Sequence, residues 1–322
     1  MKTNHLGSSG LTVSQICHGT SALGNTPVYD YQVSEADAIA TVLRVLDSEI
    51  TFLDTSNNYG DGESERRIGK ALAQSGGLPD GFVLATKVDP APGSTDFSGA
   101  RVRASVQESL DRLGLDHLQL VYLHDPERMT FAEATGPGGA VDALVALRDE
   151  GLIDLIGVAG GPISMSLDYV GLDVFDAAIS HNRYTLVDQS AGPLIEAAAQ
   201  RGMAFVNAAP YGGGMLVRGP DEVPNYCYNP TTAETRYRVR QMAAACDEYG
   251  VPLAAAALQF SLRNPQITST IVGFSSPKRI ERTLELAEIP IESALWETLE
   301  ELAAPGRDGV GLDDRYNNAQ RS

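Results

Sequence analysis

Short apolar runs alternate with longer helical patterns along the whole chain. Eight runs read as strands, at 14–19, 51–54, 82–87, 118–124, 154–158, 176–180, 203–207 and 268–272. Each is short, apolar and bounded by turn residues, as expected of strands buried on both faces. Between them apolar positions recur at helical spacing. Ile39, Val42, Leu43 and Leu46 fall on one face behind Ser34, a suitable N-cap. Val102, Val106, Leu110 and Leu113 repeat that arrangement. Thr231 with Glu234 has the spacing of a capping box, and Gly250 reads as a helix stop. Pro252 suits the first turn of the Ala-rich helix that follows, and Gly151 and Gly202 each separate a helix from the next strand. The segment around Gly7-Ser-Ser-Gly reads as a hairpin ahead of the first repeat.

Strand–helix alternation repeated eight times implies parallel strands joined by right-handed crossovers. Such a chain forms either an open doubly wound sheet or a closed barrel. An open sheet that bound a dinucleotide would carry GxGxxG after its first strand. Residues 19–24 read Gly-Thr-Ser-Ala-Leu-Gly, which lacks that spacing. The expectation is an α/β fold, a (β/α)8 TIM barrel with an N-terminal β-hairpin. No linker interrupts the pattern, so one domain is expected over 1–322.

Composition narrows the partners. The chain has 322 residues, with 24 Lys plus Arg against 42 Asp plus Glu, a formal charge of −18. That balance argues against nucleic acid and against an anionic membrane surface. It leaves room for a small anionic ligand in a local basic pocket. Three widely spaced cysteines (Cys17, Cys227, Cys246) form no CxxC and suggest no disulfide framework. With a polar N-terminus and no long apolar run, they point to a soluble cytoplasmic protein without a signal peptide.

Chemistry in a TIM barrel sits at the C-terminal ends of the strands. Asp54 ends the second predicted strand, Lys87 the third and His124 the fourth, and Tyr59 follows in the loop after the second. Taken singly, each has an ordinary structural reading. Asp54 could cap the next segment, Tyr59 could pack, Lys87 could be a solvated strand end, and His124 could be a hydrogen-bonded core residue. Together they place three ionisable groups on three successive strand ends, which must converge on one mouth.

Here the sequence resembles the aldo-keto reductases. The resemblance rests on Leu6-Gly-Ser-Ser-Gly-Leu-Thr-Val-Ser, Phe52-Leu-Asp-Thr-Ser-Asn-Asn-Tyr-Gly, Ala85-Thr-Lys-Val and Asp116-His-Leu-Gln-Leu-Val-Tyr-Leu-His, and it covers nearly the whole chain. It implies a catalytic tetrad of Asp54, Tyr59, Lys87 and His124. The chemistry is coherent. An isolated phenol has a pKa of about 10, and a nearby ammonium favours its ionised form. Asp54 would hold Lys87, His124 would orient the reacting oxygen, and Tyr59 would exchange the proton. Hydride passes directly between a nicotinamide and the substrate, so no metal is expected, and no HxH or HExxH occurs.

Barrels of this kind commonly bind phosphate with the loops after strands seven and eight. Those loops read Pro210-Tyr-Gly-Gly-Gly-Met-Leu and Gly273-Phe-Ser-Ser-Pro-Lys-Arg. The resemblance implies NAD(P) contacts at Gly19, Thr20 and Asp54, then at Asn182, Tyr211, Gly212, Gly213, Gly214 and Leu216. It implies a second set at Gly273, Phe274, Ser275, Lys278, Arg279 and Thr283. Gly273-Phe274 replaces the Lys-Ser often found in NADPH-dependent members, which favours NAD, whereas Lys278 and Arg279 keep NADP open. After the fifth strand Gly157-Val-Ala-Gly-Gly lacks the family's Ser and Asn carboxamide donors, and Asn182 is the candidate for the family's Gln. Ala208 stands where a Tyr normally stacks on the ring.

The segments Gly157-Val-Ala-Gly-Gly, His181-Asn-Arg-Tyr-Thr and Asn207-Ala-Ala-Pro-Tyr-Gly-Gly-Gly resemble one branch of the family. That branch oxidises a cyclic hemiacetal, of an aldose such as L-fucose or of pyridoxal, to a lactone. His18, Asn57, Asn58, Asp125 and Arg183, with Tyr59 and His124, are the candidate substrate contacts, suited to a small polar molecule. The alternatives are a general NADPH-dependent aldehyde reductase and a non-catalytic nucleotide-binding subunit. The tail after Pro305 is a candidate cover for the mouth. The sequence leaves the oligomeric state open.

Overall fold

The apolar runs close on themselves. A computed structural model describes residues 1–26, 31–227 and 229–303. Eight strands form a closed parallel barrel: β1 Ile16–Gly19, β2 Phe52–Asp54, β3 Val83–Val88, β4 Leu118–His124, β5 Ile153–Gly160, β6 Ala177–His181, β7 Ala204–Ala208 and β8 Ser269–Gly273. Neighbours in sequence are neighbours in space, and β8 returns to pair with β1 through Gly273 opposite Gly19. Helices connect the strands and surround them, as the eight repeats imply.

Strand side chains alternate between two cores. Cys17, Phe52, Val83, Ala85, Leu120, Tyr122, Ile179 and Val206 fill the interior. Ile16, Leu53, Leu84, Val121, Ile156 and Phe205 face the helices. The hairpin, Thr3–His5 paired with Thr12–Ser14, seals the N-terminal end with Leu6 and Val13. Gly7 permits this closure: its φ is +58°, and a Cβ there would stand 2.7 Å from the Gly202 carbonyl oxygen.

Most helix ends follow the sequence reading. The Ser34 side chain accepts from the Asp37 amide at the start of Glu35–Leu46. Others shift. The cap of Ala233–Glu248 is Thr232, not Thr231, and it accepts from the Thr235 amide. Pro252 stands just before Leu253–Leu262 instead of within it. β5 runs two residues beyond 158, because Ala159 and Gly160 continue the ladder to Ile179 and Ser180. Cys17, Cys227 and Cys246 are buried, and among the described residues none is in a disulfide. No described helix is long and apolar enough to cross a membrane. The tail after Pro305 lies outside the described residues.

Candidate active site

Inward parity selects one residue per strand at the barrel mouth. Going round from β8 these are Gly273, Gly19, Asp54, Lys87, His124, Ala159, His181 and Ala208. Asp54, Lys87 and His124 are contiguous and carry charge. Ala208, Gly273 and Gly19 are contiguous on the other side and leave space.

Lys87 and Asp54 form a buried ion pair, with Nζ 2.5 Å from Oδ1 and both side chains 3% exposed. The ammonium has three protons, and three acceptors stand within reach. Besides Asp54 these are the Thr55 carbonyl at 2.7 Å and the Tyr59 hydroxyl at 3.2 Å. Burial pushes the Asp54 carboxyl above its ordinary pKa, against the pull of Lys87. The ammonium also lies 4.8 Å from the Tyr59 ring centroid. Its field at the phenol favours the ionised form.

The Tyr59 loop is held by backbone contact and by a charged network. Gly60 has φ +61°, and a Cβ there would overlap the Gly24 carbonyl at 1.7 Å. Arg112 donates to the Asn57 carbonyl (3.0 Å) and to buried Glu65 (3.1 Å). The amide of Asn57 donates to Glu108 (3.1 Å), which accepts a two-pronged contact from Arg101. Arg101 in turn donates to the Asp89 carbonyl.

His124 completes the arc, its ring edge-on to Tyr59 with centroids 5.9 Å apart. Its Nδ1 is 2.8 Å from Asp89 Oδ1. Its Nε2 stands toward Asp125, whose Oδ1 is 3.7 Å away. Burial opposes a charge on His124, but Asp125 and Asp89 outweigh it and raise the pKa above the ordinary imidazole value. Burial lowers that of His181, assisted by the positive neighbours His124, Arg183 and Lys87.

A buried Lys–Asp pair against a tyrosine hydroxyl, with a histidine alongside at the mouth of a parallel barrel, can be compared with known proteins. The profile of the aldo/keto reductase family matches residues 15–304. The chain belongs to that family. It is an NAD(P)-dependent oxidoreductase. An aldo-keto reductase from Bacillus halodurans, in holo form, has the same fold, with a TM-score of 0.79 at 24% identity, covering 98% of this chain and 99% of the other. L-galactose dehydrogenase of Arabidopsis thaliana is 33% identical, covering 93% of this chain and 92% of the relative. D-threo-aldose 1-dehydrogenase of a Pseudomonas species is 31% identical, covering 91% and 95%. Pyridoxal 4-dehydrogenase of Microbacterium luteolum is 32% identical, with the same coverage.

The reductase's small-residue arc fits a flat ring. Gly19, Ala159, Ala208 and Gly273 carry at most a methyl group. Three successive glycines after β7, Gly212, Gly213 and Gly214, all have positive φ (57°, 69° and 99°). Lys278 and Arg279 are exposed in the first turn of Pro277–Glu288, and among the described residues neither holds a carboxylate. A helix start with two uncommitted cations is suited to a phosphate. These residues would hold the cofactor.

Several other expected contacts are placed elsewhere. Phe274 is fully buried and stacks on His18, so its side chain is core. Thr283 lies on the buried helix face with Ile280 and Leu286, and Leu216 is also core. Thr20 spends its hydroxyl on the Asp54 carbonyl. Asn182 has φ +64° and follows the inward residue His181. It is therefore His181 whose side chain meets the mouth. Tyr211 is partly buried with its hydroxyl unpartnered among the described residues, and Ser275 is partly exposed.

On the substrate side the structure divides the candidates. Asn58 and Asp125 are partly exposed beside Tyr59 and His124, with Asp125 held by Arg128 at 2.9 Å. Arg183 is buried near His181. His18 is one residue out of phase with inward-facing Cys17. It lies in the outer layer, fully buried, and burial lowers its pKa to about 4. Asn57 is turned away to the Ser105 carbonyl and Glu108. Sequence reasoning passed over His181, Asp89 and Glu127. Two-residue periodicity from Ala177 and Ile179 marks the first. Asp89 is Lys87 plus two, although it lies beyond the strand. Glu127 donates nothing and accepts from the Gly161 amide at 3.3 Å, a tertiary contact with no local signal.

Proposed function

We propose that this reductase oxidises the cyclic hemiacetal of an aldose, an L-fucose-like sugar, to the lactone. The observation that carries the reading is the meeting of the Lys87–Tyr59 pair with His124 at a rim made polar by Asn58, Asp125 and His181. Such a rim suits a polyhydroxylated ring. The anomeric hydroxyl lies between the Tyr59 hydroxyl and His124 Nε2. Tyr59, as phenolate, takes the hydroxyl proton while the anomeric C–H bond breaks with its electron pair and C=O forms. A bound nicotinamide supplies the hydride acceptor. Lys87 holds the phenolate, Asp54 balances the ammonium, and His124 orients the oxygen.

Two of the three relatives described bear the names of aldose dehydrogenases, which supports the sugar over pyridoxal. The buried phenyl ring at Phe274 offers no charge to a ribose phosphate and favours NAD, with Lys278 and Arg279 as the counter-argument. The test is a panel of L-fucose, L-galactose, other aldoses and pyridoxal with NAD+ and NADP+, followed by reduced-nicotinamide absorbance. Lactone formation from an aldose is expected. Rapid NADPH-dependent reduction of simple aldehydes, with every sugar inert, overturns the reading and favours a general aldehyde reductase.

A further inference from the structure

Asp89 is buried just beyond β3, outside the Asp54–Tyr59–Lys87–His124 set, and its carboxylate collects three polar contacts. Oδ1 faces His124 Nδ1 at 2.8 Å. Oδ2 accepts from the Ser56 hydroxyl at 2.5 Å and from the Asn58 amide at 3.2 Å. Its own backbone amide donates to Ser105 Oγ, and its carbonyl accepts from Arg101. Ser56 Oγ also stands 3.2 Å from His124 Nδ1. A hydroxyl has one proton to give. Ser56 gives it to Asp89, so the proton between the imidazole and Asp89 must belong to Nδ1. The other nitrogen is left facing the mouth.

We propose that Asp89 is a positioning residue that fixes His124 as the imidazolium, its Nδ1 proton held by Asp89 and its Nε2 proton presented to the substrate oxygen, with Ser56 as its strut. The idea deepens the reading in which His124 orients the reacting oxygen, and it depends on that reading. One strand thus serves two neighbours. Lys87 reaches across to Tyr59, and two residues later Asp89 reaches across to His124. An imidazole held by a carboxylate at one nitrogen has its charged form stabilised and its ring plane set, the logic of acid–base dyads generally. The groups facing His124 are Lys87 from β3 and Asp89 just after it, Ser56 and Tyr59 from the loop after β2, adjacent Asp125, and His181 from β6. Asp89 is the one in hydrogen-bond contact with Nδ1 that can only accept.

The test is a double-mutant cycle with Asp89→Asn and His124→Ala, followed by steady-state turnover and cofactor binding. Asp89→Asn is expected to lower kcat about 100-fold, within the range of general acid–base effects, while cofactor affinity changes less than twofold. The overall equilibrium is unaffected, so kcat/KM falls by the same factor in both directions. In the His124→Ala background the same substitution is expected to cost less than twofold. Equal losses in both backgrounds overturn the proposal and leave Asp89 a merely structural residue. If His124→Ala alone leaves turnover unchanged, the role of His124 fails first, and that outcome is separate. Folding of the variants is not needed for a second readout. In the wild-type enzyme at neutral pH the 15N imidazole signals of His124 are expected to show both Nδ1 and Nε2 protonated. A neutral ring overturns the proposal.

Discussion

The two sides of the barrel mouth are built from opposite materials. On β2, β3 and β4 the inward strand ends are Asp54, Lys87 and His124, all wholly or largely buried, with Asp54 paired to Lys87 and His124 to Asp89. On β7, β8 and β1 they are Ala208, Gly273 and Gly19, with almost no side chain. The first side holds ionised groups out of water, which is expensive unless each is paired. The second gives up side-chain volume that could have been packed. Neither choice serves stability. Side by side they provide a flat floor almost free of side chains next to a proton-handling wall, which is what a hydride transfer between two molecules requires.

If the division is correct, changes on the two sides should fail differently. The largest effect is expected from Lys87→Met. Removing one partner of a buried pair leaves Asp54 uncompensated, at a cost of about 3–5 kcal/mol, measurable by urea denaturation, with activity lost as well. Tyr59→Phe should lower kcat about 1,000-fold while leaving stability and cofactor affinity intact. Retained turnover would remove Tyr59 from the mechanism. Gly273→Leu, on the open side, should do the reverse. The nearest atom to a Cβ there is 3.9 Å away, so folding tolerates the change. Cofactor affinity should fall about tenfold, roughly 1.4 kcal/mol, as read by fluorescence titration. Arg279→Ala should weaken NADP about tenfold, the scale of one charge-assisted bond, and weaken NAD less.

The smallest effect lies between the two sides, behind β5. Burial, and then the Asp125 charge, raise the Glu127 pKa to about 7. Between pH 5 and 8 this carboxyl therefore holds its proton more tightly in the folded state than in the unfolded chain, and its own contribution to stability falls as pH rises. Glu127→Gln should flatten that slope and stabilise the enzyme at pH 8 by about 1 kcal/mol. A thermal-shift series against pH checks the sign.

What could be read from the sequence followed parity and position. The eight strands were visible because parallel strands buried on both faces are apolar throughout. Asp54, Lys87 and His124 were visible because they end such strands. His18 misled for the same reason: nearness to a strand end is legible, but the face is decided by counting from Cys17. Phe274 read as a loop residue facing a cofactor, yet its ring folds back onto His18. Family analogy points to Asn182, whereas the two-residue period of the strand turns His181 into the mouth. Asp89 lies just past the last residue of β3 and Glu127 in the 3-10 turn Pro126–Arg128, and their roles arise only from what tertiary folding brings within hydrogen-bond distance.

Lys87 and Asp89 are two residues apart on one stretch of chain, and each supports a group from a different neighbour. A slip of β3 by a single position would turn both outward together and abandon Tyr59 and His124 at once. Turnover is thus an all-or-none indicator of correct strand alignment. During refolding, the return of activity should coincide with closure of β3 against β2 and β4, and partly assembled barrels should be silent rather than slow.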